Sequence, residues 1–195
     1  MKGLSVPEVE ALFGEAGFSV SLAHARYRSA LVLDDQRAAR QARIGARPPS
    51  ETTQLLDFAR ALNRWLPTLR SRLLWIDHWG TGVYGADGAL IDAARRGLGE
   101  MRGLEEAPGH LFGPHDYAEE DQAKTAAEQS QAVALLAGLI VQVLISGSDG
   151  WLIAEGGVDR IEFWEGNLYF HAQRAERIAE AEALLQHFEC SRTLI

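Results

Sequence analysis

Apolar residues recur at helical spacing in much of the chain. In the segment that contains Leu55, Phe58 and Leu62, this pattern predicts a helix that opens at Ser50 and ends at Pro67. The same periodicity, with capping residues and glycines at the ends, predicts further helices. They cover about residues 5–14, 36–46, 88–97, 118–139 and 174–188.

Apolar and polar residues alternate in the C-terminal part of the chain, which is the pattern of β-strands. The runs 151–155, 158–164 and 168–172 are separated by the sequences EGG and EGN, as the strands of a β-meander would be. Residues 72–79 predict a further strand, whereas residues 18–33 fit a helix or a strand.

The order of these elements, with helices early and a meander late, favours the α+β class over an alternating α/β arrangement. A chain of 195 residues has the usual size of one domain. We therefore predict a single α+β domain over residues 1–195. In it a small antiparallel β-meander (about 150–172 plus a strand near 72–79) is covered by helices. Within this domain, residues 1–50 could form a semi-separate helical N-terminal part, and the sequence leaves this alternative open.

Composition narrows the classes of function. The net charge of −8 argues against nucleic-acid binding through a basic surface. Cys190 is the only cysteine, which excludes an internal disulfide and favours a reducing cytosol. The most apolar run, residues 132–145, is shorter than the roughly 18 residues that span a membrane. We expect a cytoplasmic protein that needs no cofactor and binds neither a membrane nor nucleic acid.

The charge is unevenly distributed along the chain. Residues 24–72 hold ten arginines and four acids, whereas residues 73–123 hold ten acids and three arginines. Solvated helix faces and internal ion pairs explain such a pattern, and we favour this interpretation. A charged recognition surface is the alternative.

The segment EAPGHLFGPHDYAEEDQ (residues 106–122) holds candidate metal ligands. His110, His115 and Asp116 carry the donor types that bind zinc, iron or manganese. However, His110 and His115 are five residues apart with Pro114 between them, which is not the spacing of a zinc-binding helix. A metal site in this segment is therefore an alternative that the sequence allows but does not favour.

Two other interpretations of this segment need no metal. The one that we favour is a loop over residues 98–118 with solvated histidines, in which Asp116 or Asp121 caps the next helix and Phe112 packs into the core. The other is an acidic loop that binds a partner.

Residues Gly80–Gly85 match the pattern G-x-G-x-x-G and follow a predicted strand. In nucleotide-binding proteins such glycines let backbone amides approach a pyrophosphate at a helix N-terminus. Here the predicted helix starts after the motif, near Asp87, and no apolar second strand follows that helix. A glycine-rich turn that leaves the sheet is the interpretation that we favour.

Asp77 and His78 lie between two tryptophans, Trp75 and Trp79. On a strand Asp77 shares a face with both tryptophans, whereas His78 points to the other face. The two side chains therefore do not converge as an acid–base pair. If the protein has a pocket here, we expect Trp75, Asp77 and Trp79 to line it.

The C-terminal strands are rich in aromatic residues. Alternation sends Phe163 and Trp164 to opposite faces of the sheet, and likewise Tyr169 and Phe170. Phe163 and Phe170 are then expected in the core. Trp164 and Tyr169 are left either beneath the N-terminal helices or on an exposed aromatic patch of the kind that marks a protein interface or a homodimer contact.

These features favour a non-enzymatic, soluble protein-binding module. An acidic surface would steer a basic protein partner, and aromatic side chains would anchor it. The residues assigned to this role are Trp79, Glu105, Glu106, Asp116, Glu119, Glu120, Trp164 and Tyr169. In general plan and charge, a small acidic α+β protein of this kind resembles bacterial immunity proteins that neutralise toxins. That resemblance rests on no motif and assigns no residue.

Two alternatives belong to other classes of function. The first is a metal-dependent hydrolase that uses His110, His115 and Asp116. The second is a nucleotide-binding protein that uses the glycine turn of residues 80–85.

Overall fold

Strands and helices alternate irregularly along the chain, as expected for the α+β class. The computed structural model describes residues 1–22, 27–34, 41–67, 70–79, 85–113 and 126–193. The strands are β1 (Lys2–Leu4), β2 (Phe18–Leu22), β3 (Tyr27–Leu33), β4 (Ala42–Ala46), β5 (Arg72–Ile76), β6 (His78–Trp79), β7 (Gly109–Phe112), β8 (Gly150–Ala154), β9 (Arg160–Trp164), β10 (Asn167–Ala172) and β11 (Arg192–Thr193). The helices are α1 (Val6–Phe13), α2 (Thr52–Trp65), α3 (Gly85–Gly97), α4 (Ala126–Ser146) and α5 (Ala175–His187).

These strands form two antiparallel sheets. The main sheet has the order β1-β7-β5-β8-β9-β10-β4-β11, and the second sheet has the order β2-β3-β6. The predicted meander is confirmed as β8, β9 and β10. The sheet around it is larger than the prediction, because strands from remote parts of the chain pair on both sides of the meander.

Two helix or loop predictions are wrong. Residues 42–46, predicted as the end of a basic helix, form β4, which pairs with β10 and β11. Residues 109–112, predicted as loop, form β7 between β1 and β5. In both places pairing with remote strands overrides the local pattern. The division into domains, including a semi-separate first 50 residues, stays a prediction.

Two further segments, residues 18–33 and 72–79, each form two strands. Residues 18–33 contain the hairpin strands β2 and β3. Residues 72–79, predicted as one strand, are two: β5 belongs to the main sheet and β6 to the second sheet. Asp77 lies at the break, so the chain passes from one sheet to the other at this residue.

Each face of the main sheet has its own apolar core. Helices α2, α4 and α5 contribute to the core on one face, together with inward side chains of β5, β8, β9 and β10. On the opposite face α1 and the second sheet pack against β5 and β8. This second, smaller core contains Phe13, Phe18, Leu31, Trp75 and Trp151. Among the described residues, no comparable apolar cluster covers the same face of β9 and β10.

Helix α1 starts as its sequence predicts. The Glu8 carboxylate accepts hydrogen bonds from the Ser5 backbone N–H at 2.8 Å and from the Ser5 hydroxyl at 2.9 Å. Arg102 donates to the same carboxylate at 2.8 Å. These donors hold the pKa of Glu8 well below its usual range. Within the described ranges, no helix is long and apolar enough to cross a membrane.

Candidate functional site

Three side chains of types common in interface hot spots lie on one face of neighbouring strands. Register pairs Trp164 with Asn167, Tyr169 with Glu162, and Arg43 with His171. Trp164, Tyr169 and Arg43 are therefore diagonal neighbours across β9, β10 and β4, at spacings of about 7–8 Å between backbones. The Arg43 guanidinium carbon lies 5.9 Å from the centre of the Tyr169 ring.

Burial on these strands follows the predicted alternation. Phe163 and Phe170 are fully buried in the helix-covered core, as the sequence predicts. Trp164 on the opposite face retains 38% exposure, and Tyr169 is half-buried. We name Trp164, Tyr169 and Arg43 the aromatic patch.

A buried polar cluster continues the same sheet face beyond the aromatic patch. Arg160 pairs with His171 across β9 and β10, and Glu162 pairs with Trp151 across β9 and β8. The His171 Nε2 atom lies 3.0 Å from Glu162 Oε2. Because a carboxylate only accepts, Nε2 carries the hydrogen in this contact. No described residue hydrogen-bonds the other ring nitrogen, Nδ1.

Arg160 lies at the inner end of this cluster and is 1% exposed. Its Nη1 donates to the Gly157 carbonyl at 2.7 Å. Its guanidinium carbon lies 5.4 Å from the Phe18 ring centre and 6.0 Å from that of Trp151. Burial lowers the pKa of Arg160 to about 10, against the opposing effect of the nearby Glu162 carboxylate.

Asp77 joins the two sheets through one carboxylate oxygen. Its Oδ1 accepts from Trp75 Nε1 at 2.9 Å and from the Leu31 backbone N–H at 3.1 Å. Trp151 in turn donates to the Leu31 carbonyl at 2.7 Å. Burial raises the pKa of Asp77 to about 7, and the Glu162 charge adds to this effect.

The side chains of Asp77 and Trp75 are in contact through this hydrogen bond, although Asp77 lies between two strands and not on one continuous strand as predicted. The side chains of His78 and Trp79 lie outside the described part. Since Asp77 is only 5% exposed, it sits within the packed interior between the sheets.

His110 does not lie in a solvated loop, so the interpretation that we favoured from sequence is wrong for this residue. It is fully buried on β7, where it pairs with Gly3 of β1 and Leu74 of β5. Phe112 on the same strand is buried in the core, as predicted. Among the described residues no group of three or more His, Cys, Asp or Glu side chains is placed to hold a metal ion.

Several sequence candidates fall outside the described residues. They are His115, Asp116, Glu119, Glu120 and residues 80–84 of the glycine turn. Gly85, the last glycine of that motif, is the first residue of α3, so the helix starts earlier than the sequence predicts.

The described acids of the proposed partner surface lie away from the aromatic patch. Glu105 and Glu106 are exposed in a turn that precedes β7, next to the β1 edge of the main sheet. Trp164 and Tyr169 lie on β9 and β10, separated from β7 by β5 and β8. The structure does not bring these acids and aromatic side chains together.

An open pocket of about 640 Å³ lies at the end of the sheet where β8 ends and β9 begins. Its lining includes Ala16, Gln41, Gly157 and Gln173. Gly157 is also the hydrogen-bond acceptor of Arg160, so the pocket adjoins the buried polar cluster.

Sequence reasoning did not select Arg160, Glu162 or His171. A signal was present, because RIEFW and LYFHA place these residues at alternate positions and hence on one face. Whether the three side chains come together depends on the register of β9 against β10, and the local sequence does not predict that register. Comparison with family models, curated proteins and solved structures finds no match to this chain.

Proposed function

We propose that this protein is a protein-binding module and that its partner docks on the aromatic patch. The observation that carries the proposal is the diagonal row of Trp164, Tyr169 and Arg43 on one sheet face. Tryptophan, tyrosine and arginine are the residue types enriched in interface hot spots.

Exposure supports this assignment. Trp164 keeps 38% of its surface accessible at the end of β9, directly before the turn that leads into β10 at Asn167. The position of that hairpin is fixed, since the Asp149 carboxylate accepts from the Glu165 backbone N–H at 2.7 Å. A rigid aromatic anchor loses little conformational entropy when a partner covers it.

Charge indicates a basic partner. The chain carries a net charge of −8, and Glu165 is exposed directly beside Trp164. Such a charge speeds the encounter with a basic protein. Because salt screens this attraction, the complex should become weaker as the salt concentration rises. An inhibitor that neutralises a basic toxin would have these properties, and we propose this immunity-type role as the specific form of the function.

The test starts with capture of partners on immobilised protein, followed by reconstitution of a complex from purified components. The double variant Trp164→Ala/Tyr169→Ala should weaken that complex about 30-fold or more, because a central aromatic hot spot contributes about 2 kcal/mol or more. Binding constants are measured by titration calorimetry at two salt concentrations.

The matched control is Leu90→Ala. Leu90 is an apolar side chain with 70% exposure on α3, away from β9 and β10. It should leave the binding constant unchanged. A complex that is equally tight with the double variant would rule out the aromatic patch as its docking site.

A further inference from the structure

Helices α3 and α4 form an apolar groove on the helix-covered side of the main sheet. The groove has a volume of about 170 Å³, and its lining includes Ile91 and Leu139, which are buried in the larger core. Among the described residues that line it, Gln142 alone carries a polar side chain. An apolar space of about 150 Å³ accommodates a benzene ring, so this groove has room for one apolar side chain.

Leu90 protrudes beside this groove. It lies on α3 at the edge of the groove and is 70% exposed. Ala94 and Gly97 follow it on the same face of the helix, and both are small. Leu90 is therefore an apolar knob that stands next to an apolar hole.

The α4 side of the groove is uncharged. From Gln131 to Ser146 this helix contains no acidic or basic residue. Ile145 follows Gln142 by three positions, so it lies on the groove side of α4, and it is 64% exposed. A helix that is apolar on most of its surface is normally covered on most sides.

Charge and shape both favour a second copy of this chain as the cover. Two copies that each carry a net charge of −8 repel one another where their acids meet, so self-association needs an uncharged contact surface such as this one. A two-fold axis brings the same patch of both copies together and makes every contact reciprocal. Such an axis can insert Leu90 of each copy into the groove of the other.

The size of this face fits a dimer of modest affinity. Helix α3 has 13 residues and α4 has 21 residues. At 1.5 Å per residue and about 10 Å width per helix, the two helices together present roughly 500 Å² per copy. The total for two copies is about 1,000 Å², which is the lower limit for a specific interface. We therefore expect a dissociation constant in the micromolar range.

We propose that this protein forms a two-fold symmetric homodimer through α3 and α4, in which Leu90 of each copy fills the apolar groove of the other. This surface lies on the helix-covered side of the main sheet, whereas the aromatic patch lies on the opposite face. The dimer therefore leaves the aromatic patch open to the proposed protein partner.

Sedimentation equilibrium of the full chain tests this dimer at protein concentrations from about 1 to about 300 μM, which bracket a micromolar dissociation constant. The wild-type mass should approach twice the 21.4 kDa of one chain at the highest concentration. Leu90→Glu places an unpaired charge in the apolar groove, so the dissociation constant should rise about 100-fold or more.

The matched control is Leu12→Glu, the same substitution at a leucine that is 49% exposed on α1, on the opposite face of the main sheet. It should associate as wild type does. Circular dichroism checks that Leu90→Glu is folded. If it is not, Ile145→Glu on the groove side of α4 replaces it and should dissociate the dimer likewise.

Any of three results would overturn the proposal. The first is wild-type protein that remains monomeric at the highest concentration. The second is a dimer that persists unchanged in folded Leu90→Glu, because its interface must then lie elsewhere. The third is loss of the dimer in Trp164→Ala/Tyr169→Ala, which would place the contact between copies on the aromatic patch.

Discussion

At the scale of single residues, the buried position of Asp77 makes the stability of the fold depend on pH. Its carboxylate is buried between the sheets and accepts from Trp75 and Leu31. Burial raises the pKa of Asp77 from 3.8 to about 7. The folded protein therefore binds more protons than the unfolded chain between those two values. The contribution of Asp77 to stability is greatest at low pH and falls as pH rises towards 7.

The variant Asp77→Asn should remove this pH dependence. Asparagine retains an oxygen that can accept both hydrogen bonds, but it cannot ionise. Above pH 7 the variant should be more stable than wild type by up to about 4 kcal/mol, and near pH 4 the two should be equal. Denaturant unfolding between pH 4 and pH 8 measures the difference.

The control for this prediction is Asp57→Asn, since Asp57 is exposed and forms an ion pair with Arg60 on the same helix. It should leave the pH profile of wild type unchanged. Glu8, whose pKa is lowered, makes stability fall at acid pH in all three proteins, so the differences between them isolate Asp77. An Asp77→Asn profile parallel to wild type would show that the carboxyl titrates normally.

The sequence predicts some of the site residues and misses others for a physical reason. Alternation with period two placed Phe163 inward and Trp164 outward, because a strand offers only two directions. The grouping of Arg160, Glu162 and His171 needs the register of β9 against β10 and knowledge of what covers that face. Neither the register nor the cover of that face can be deduced from the local sequence of these strands.

At the scale of elements, Gly150 shows how closely β5 and β8 approach. It starts β8 with φ of 157°, and a Cβ atom there would overlap the carbonyl oxygen of Trp75 on the neighbouring strand. Gly138 is the useful contrast, because it lies exposed within α4 and a Cβ would meet nothing within 4 Å.

Alanine substitutions at these two glycines should have opposite effects. Gly150→Ala should destabilise the protein by about 3 kcal/mol, because backbone must move or adopt a strained conformation. Gly138→Ala should stabilise it by up to about 1 kcal/mol through helix propensity. Unfolding free energies from urea titration measure both. Equal effects of the two substitutions would contradict the close approach of β5 and β8.

The sequence predicted correctly those elements whose structure is set by the local apolar pattern. It failed for elements whose structure depends on pairing with a strand from a remote part of the chain. Helix α2 has a strong apolar stripe and lies within the predicted bounds. Strand β4 has the composition of a basic helix, yet Ile44 becomes buried through pairing with β10, far away in sequence. A local pattern carries no information about such a partner, so β4 was predicted as helix.

At the scale of the whole molecule, the two faces of the main sheet have different roles. Helices α2, α4 and α5 cover one face with a continuous apolar core. The other face carries a smaller core over β5 and β8, then the buried polar cluster and the aromatic patch on β9, β10 and β4. We therefore propose that a partner binds to the second face, whereas the apolar core on the first face stabilises the fold.

Hydrogen–deuterium exchange of the protein alone and in its reconstituted complex tests this division most directly. Amides of residues 42–46 and 160–172 should exchange more slowly in the complex, since the partner covers the aromatic patch on those strands. Slower exchange confined to α3 and α4, where Leu90 and Leu139 line an apolar groove, would contradict the assignment and place the partner on the helical side.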